Sequence, residues 1–277
     1  MEHSLNQEII QLRDKSDEFS RLRVRSALAL MRQDEADVFQ SFPLLLHFND
    51  PALPGYIKGD VPVGICQFSP TKKHQNLVQK LFAIELPEDE IEAPEIIGLY
   101  AMGSTSSIGQ CSESDFDVWI CYSHELDPAR VELLDKKSWE ITYWAESLGV
   151  ELNFFLIPDN KFRVNNKAAL SNESCGTSQH MLLLDEFYRT SLRVAGRRIL
   201  WRQIPHEHEH HYDSYVKNLC ATGQINADDW LDLGGLYCVP AEELFGATLW
   251  QLYKGIDNPY KATLKTILME AYSWEYP

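Results

Sequence analysis

Asp115 and Asp117 are separated by one residue at the start of Phe-Asp-Val-Trp-Ile-Cys-Tyr (116–122), a run whose alternation and β-forming residues predict a strand. Side chains alternate along a strand, so both carboxylates project from one face, with Phe116 and Val118 on the other. Two acids held on one face repel each other unless a cation sits between them. Mg²⁺ suits that place, because it takes one or two protein carboxylates and completes its shell with phosphate oxygens. Two aspartates facing water at a strand end would show the same spacing, so the neighbouring sequence has to decide.

That neighbour is Gly103-Ser104-Thr105-Ser106-Ser107, directly after the apolar run 95–102. Glycine lets the backbone turn tightly and approach a ligand, and the hydroxyls and free N–H groups of such a turn suit phosphate oxygens. It is not a P-loop, since five residues separate Gly103 from Gly109 and Gln110 stands where a lysine is needed; no G-x-G-x-x-G fingerprint occurs either. A third acid, Glu151, lies between Val150 and Leu152 at the start of a further apolar run. Three acids on adjacent strands beside a Gly–Ser turn have the make-up that two-metal nucleotidyl transfer requires.

The elements that must position these groups are legible in outline. Residues 95–102 read as a buried strand, 116–122 as a second and 150–157 as a third. The stretch 129–148 reads as a helix, with Val131, Leu134, Ile141, Ala145 and Leu148 on one face and Gly149 at its C-terminal end. Upstream, 5–31 reads as a helix, while 41–70, dense in proline and glycine, reads as an ordered but irregular connection. Residues 178–200 and 241–274 read as mainly helical, with a soft boundary near 165. The expected layout is 1–94 as an N-terminal helix and connection, 95–165 as the core and 166–277 as a mainly helical part.

Composition narrows the classes. The 277 residues carry 25 Lys+Arg against 41 Asp+Glu, a net charge of −16, which disfavours a nucleic-acid partner. No apolar run is long enough for a membrane span and the polar N-terminus is unlike a signal peptide, so a cytoplasmic location is expected. The six cysteines (66, 111, 121, 175, 220 and 238) are scattered and read as reduced thiols, and the histidine-rich stretch His206–His211 reads as a solvated acidic loop or helix start.

The Gly103-Ser104 turn, Asp115-x-Asp117 and a later acid in an apolar strand resemble the DNA polymerase β-like nucleotidyltransferase superfamily. The longer stretches MGSTSSIGQCSESDFDVWIC, LGVELNFFLI, HMLLLDEFYRTSLRVAGRRILW, WLDLGGL and FGATLWQLYKGIDNPYKATLKTILMEAYSWEYP are similar to the N-terminal catalytic region of class I adenylate cyclases. The likeness runs over nearly all of the chain and is weakest before residue 40 and through 71–95. It implies an α/β (α+β) fold, a mixed nucleotidyltransferase-type sheet with flanking helices followed by a mainly helical part. It implies conversion of ATP to 3′,5′-cyclic AMP and pyrophosphate, with two Mg²⁺ ions (Mn²⁺ able to substitute) on Asp115, Asp117 and Glu151. It also implies a C-terminal regulatory part, responsive to the sugar phosphotransferase system and expected to be missing here.

The wider superfamily places phosphate-binding lysines in the helical part after the sheet, which singles out Lys254 and Lys261, alongside Gly103 and Ser104, as nucleotide-binding candidates. Asn153, on the face of Glu151, is a candidate for orienting the site. Trp250 and Tyr260 read first as packing residues and second as stacking partners for a base. Arg189, Arg193, Arg197 and Arg198 read as structural or interfacial, nothing tying them to the turn. Motif spacing leaves two other readings open: a transferase that joins the nucleotide to a separate hydroxyl, and a nucleotide-binding module without turnover.

Overall fold

The computed structural model describes residues 2–87, 91–105, 107, 110, 114–163, 180–236 and 238–275, with side chains from Arg13 onward. Gly109, Cys111, Cys175 and the boundary near 165 lie outside the described residues. Two compact units are formed, one from Met1–Asp159, Thr190–Gln203 and Asn226–Asp232, the other from Asn160–Arg189, Ile204–Ile225 and Leu233–Pro277.

The first unit begins with α1 (Glu2–Leu30), α2 (Gln33–His47) and α3 (Lys72–Phe82), followed by β1 (Ile96–Met102), β2 (Phe116–Tyr122), α4 (Pro128–Ser147) and β3 (Leu152–Pro158). With β4 (Leu192–Gly196) the sheet is mixed, in the order β3-β2-β1-β4: β1 is antiparallel to both β2 and β4, and β2 is parallel to β3. The parallel pair needs a crossover, which α4 supplies. Pro128 opens that helix, Asp127 accepts a hydrogen bond from the Ala129 N–H (2.8 Å), and Gly149 (φ +72°) ends it.

One sheet face packs against the helices. Leu99, Ala101, Phe116, Val118, Ile120, Leu152 and Leu192 pack with Val38, Phe39, Phe42 and Leu45 of α2 and Leu134, Ile141 and Ala145 of α4. This core explains the first departure from the sequence reading. The irregular connection expected over 41–70 starts only after His47, because α2 runs on through Pro43. An interior proline costs a helix about 3 kcal/mol. Burying Phe39, Phe42, Leu44, Leu45 and Leu46, at roughly 1.5–3 kcal/mol each, outweighs it.

The second departure lies in 178–200, expected to be mainly helical. A helix, α5 (His180–Thr190), does form, but Leu192–Gly196 is a strand, β4, completing the sheet beside β1. Gly196 (φ +96°) makes this possible: an added Cβ would lie 2.2 Å from the Gly98 Cα, so any side chain there would push β4 off β1. A short parallel pair, β5 (Arg198–Ile199) and β6 (Trp230–Leu231), follows, with α6 (Tyr212–Ala221) between its strands in sequence.

In the second unit α7 (Ala241–Lys254) and α8 (Pro259–Glu275) form a helical hairpin. Leu244, Ala247 and Tyr272 of this hairpin pack on Leu182 of α5, and the Glu243 carboxylate accepts from the Met181 and Leu182 N–H groups (2.7 and 2.9 Å). Among the described residues no helix is long and apolar enough to cross a membrane. Cys66, Cys121, Cys220 and Cys238 are free thiols.

Candidate active site

The sheet brings the turn and the acids together through register. Met102, the last residue of β1, pairs with Asp117 of β2, and Gly103 follows at φ +70°. A Cβ added at Gly103 would stand 3.6 Å from the Asp117 Oδ2, so the backbone of the turn and this carboxylate border the same space. The turn is closed by the Ser104 carbonyl, which accepts from the Ser107 N–H (2.9 Å) and Oγ (2.8 Å). Gln110 reaches α1 by donating from Nε2 to the Ala27 carbonyl (3.0 Å). Thr105 is buried, and its hydroxyl has no hydrogen-bond partner among the described residues.

Asp115 and Asp117 are both half-buried, Asp115 immediately before β2 and Asp117 within it. The residue opposite Asp117 in the parallel pairing is Asn153, whose Nδ2 donates to the Asp117 Oδ1 at 3.4 Å. Glu151 stands elsewhere than a pairing with Asp117 would put it. Phe116 pairs with Leu152, and the Phe116 N–H donates to the Glu151 carbonyl (2.9 Å), so Glu151 is level with Asp115, just outside the strand and exposed. Alternation keeps Asp115, Asp117, Glu151 and Asn153 on one face of the sheet.

Among the described residues no three His, Cys, Asp or Glu side chains converge as a metal-binding group. The donor set at the sheet end is nevertheless oxygen-only, with two carboxylates on one face beside a glycine that leaves room above them. That suits a hard divalent cation whose remaining ligands come from phosphate or water.

Lys254 and Lys261 lie in the other compact unit, on the α7–α8 hairpin. Both are exposed; the Lys254 ammonium sits 5.3 Å from the centre of the Trp250 ring. Trp250 and Tyr260 are exposed rather than packed in a core, Trp250 stacking on Tyr253 at 5.6 Å.

Sequence reasoning missed the place of the arginines because it missed β4. Arg193 pairs with Tyr100 on β1, on the face that carries Asp117 two residue pairs away. Arg193 and Arg198 both bind Asp17 of α1, at 2.5 and 2.6 Å. Burial pushes the Asp17 carboxyl up, but the Arg198 hydrogen bond and the charges of Arg193, Arg198 and Arg21 hold it below its ordinary value. Burial, reinforced by the positive charge of Arg23, lowers Arg202 to about 10, and its Nη2 donates to the Ser191 carbonyl (2.8 Å) and Oγ (2.9 Å). Arg189 is held by Asp185 and Glu275 at 2.8 and 2.5 Å. The alternation Leu192-Arg193-Val194-Ala195 was the signal for the strand.

Comparison with known proteins gives two family matches. The model of the adenylate cyclase NT domain matches residues 8–202, and that of the class-I adenylate cyclase second domain matches 239–277. The chain is 51% identical over 270 residues to an adenylate cyclase of Salmonella typhimurium. It is 50% identical over 272 residues to one of Escherichia coli K12 and 49% identical over 272 residues to one of Yersinia pestis. Each alignment covers 96% of this chain and 32% of the relative, so the chain spans about a third of the length of the curated relatives it matches. No solved structure matches.

Proposed function

The chain belongs to the class-I adenylate cyclase family, and on that premise we propose that its acid-bearing sheet end is where ATP is converted to 3′,5′-cyclic AMP and pyrophosphate. The observation that carries this reading is the pairing of Met102 with Asp117, which sets the Gly–Ser turn against a carboxylate. In this reading Asp115 and Asp117 hold Mg²⁺, two ions in all, with Glu151 as a third ligand beside Asp115. When bound, such ions neutralise phosphate charge and acidify the ribose 3′-hydroxyl that attacks the α-phosphorus in line.

The remaining work falls to the chain itself. Gly103, lacking a side chain, lets the backbone N–H groups of the turn approach the triphosphate, and the Ser104 hydroxyl donates to a phosphate oxygen. Asn153 holds the Asp117 carboxylate in orientation through the Nδ2 contact. Lys254 and Lys261, from the helical part, neutralise the phosphate tail. Positioning and charge neutralisation are sufficient for the reaction, and no covalent intermediate is required.

Regulation by the sugar phosphotransferase system belongs to the same reading, acting through sequence that the longer relatives possess beyond the matched third. So does a cytoplasmic location. The test is incubation of the chain with Mg-ATP and separation of cyclic AMP, AMP adducts and unchanged ATP. Cyclic AMP together with pyrophosphate supports the reading. An AMP adduct formed on an added acceptor, without cyclic AMP, overturns it in favour of a transferase.

A further inference from the structure

Phe155 of β3 is, among the described residues of the four-stranded sheet, the one large apolar side chain that stands exposed, at 46% of its surface. Isolated exposed phenylalanines are common, and exposure alone would mean nothing. Its register is what distinguishes it. Phe155 pairs with Trp119 in the parallel β2–β3 ladder, two residue pairs beyond Asp117 and Asn153. Alternation therefore places Asp117, Asn153, Trp119 and Phe155 on a single face.

On that face the aromatic row runs Tyr100, Trp119, Phe155 across β1, β2 and β3. Tyr100 is fully buried, its hydroxyl donating to the Arg197 carbonyl (2.6 Å), and Trp119 is 4% exposed. Exposure rises only at Phe155, on the sheet edge. Phe154 and Leu156, its neighbours along the strand, point to the opposite face and pack on the core. The ring is thus an open apolar surface next to buried Trp119 in the ladder.

We infer that Phe155 is the surface on which the flat heterocyclic base of the bound nucleotide stacks. This rests on the assignment of the phosphates to the Gly103 turn and of the cation to the two aspartates. Two residues along a strand span about 6.6 Å, so the Phe155 ring lies roughly one ribose away from the Asp117–Asn153 pair. A base stacked there covers an apolar ring that otherwise faces water. Stacking works for any base with a π-face, so Phe155 supplies affinity and orientation, and discrimination among bases falls to other groups.

The test compares two probes in the presence of Mg²⁺: α,β-methylene-ATP, which has a base and cannot be cleaved at the α,β bridge, and inorganic tripolyphosphate, which has none. Phe155→Ala should raise the Kd of the nucleotide analogue fivefold or more and leave that of tripolyphosphate unchanged, and Phe155→Tyr should restore analogue binding. Melting curves of both variants check the fold. An unchanged analogue Kd in Phe155→Ala overturns the inference, as does an equal loss for both probes, which marks a structural role. If the unsubstituted chain binds neither probe, the site assignment itself falls and takes the inference with it. If it binds both and Phe155→Ala does too, the base platform alone is wrong.

Discussion

Asn153 stands directly opposite Asp117 in the parallel pairing of β2 and β3, with its Nδ2 3.4 Å from the Asp117 Oδ1. The contact is long and its donor neutral, so it orients the carboxylate without displacing a cation from it. Asn153→Ala removes one such interaction, worth ~0.5–1.5 kcal/mol, and should lower kcat by about tenfold or less with Tm nearly unchanged. A loss as deep as that from substituting Asp117 would assign Asn153 a direct part in the reaction.

Substitution of the acids should do far more. Asp115→Ala and Asp117→Ala should each abolish cyclic AMP formation and leave the fold intact, since both carboxylates are half-buried site groups outside the apolar core. Relief of their mutual repulsion should hold or slightly raise the melting temperature of the metal-free chain. Activity of either variant within about tenfold of the parent, only ~1.4 kcal/mol of barrier, would remove that residue from the metal site.

The turn separates backbone from side-chain effects. Ser104→Ala should weaken ATP binding modestly, by the ~0.5–1.5 kcal/mol of a neutral hydrogen bond. Gly103→Val should cost much more, for two reasons: the backbone sits at φ +70°, and its new Cβ would enter the space beside the Asp117 Oδ2. Titration of both variants with Mg-ATP measures the difference. Equal, small effects would mean the turn does not touch the nucleotide.

Much of this arrangement was readable before the fold was known, and the limits of that reading are physical. The acids, the turn and the three core strands announced themselves by alternation, by apolar runs and by Gly103 and Gly149 at their ends. Helix α2 did not, because Pro43 signals a break locally while five buried apolar side chains around it decide the outcome globally. Strand β4 was hidden by its five residues, joined to a helix whose pattern carried over it. The partner of Asp117 was illegible for a different reason: register depends on where β3 begins, and a strand starting at Leu152 puts Asn153 opposite Asp117 and sets Glu151 beside Asp115.

His47 gives a stability prediction independent of the site. Its side chain is 5% exposed, its Nδ1 accepts from the Ile65 N–H (3.0 Å), and burial lowers its pKa from 6.5 to about 4. The unfolded chain therefore binds more protons between those values, so the contribution of neutral, buried His47 is intact above pH 6.5 and is lost as pH drops toward 4. His47→Asn, whose Oδ1 replaces Nδ1 as the acceptor for Ile65 and which cannot titrate, should flatten the melting temperature over this window. A slope matching the parent's would show that other groups set the acid limb.

The assignment of the cation to the two aspartates is most directly tested by locating Mn²⁺ crystallographically in the presence of α,β-methylene-ATP. The account predicts an anomalous peak at about 2 Å from carboxylate oxygens of both Asp115 and Asp117, with phosphate oxygens filling its shell beside Gly103. A Glu151 carboxylate beyond ~5 Å from every peak would strike that residue from the ligand set and leave the pair standing. A peak elsewhere, with Asp115 and Asp117 facing only water, would contradict the account at its centre.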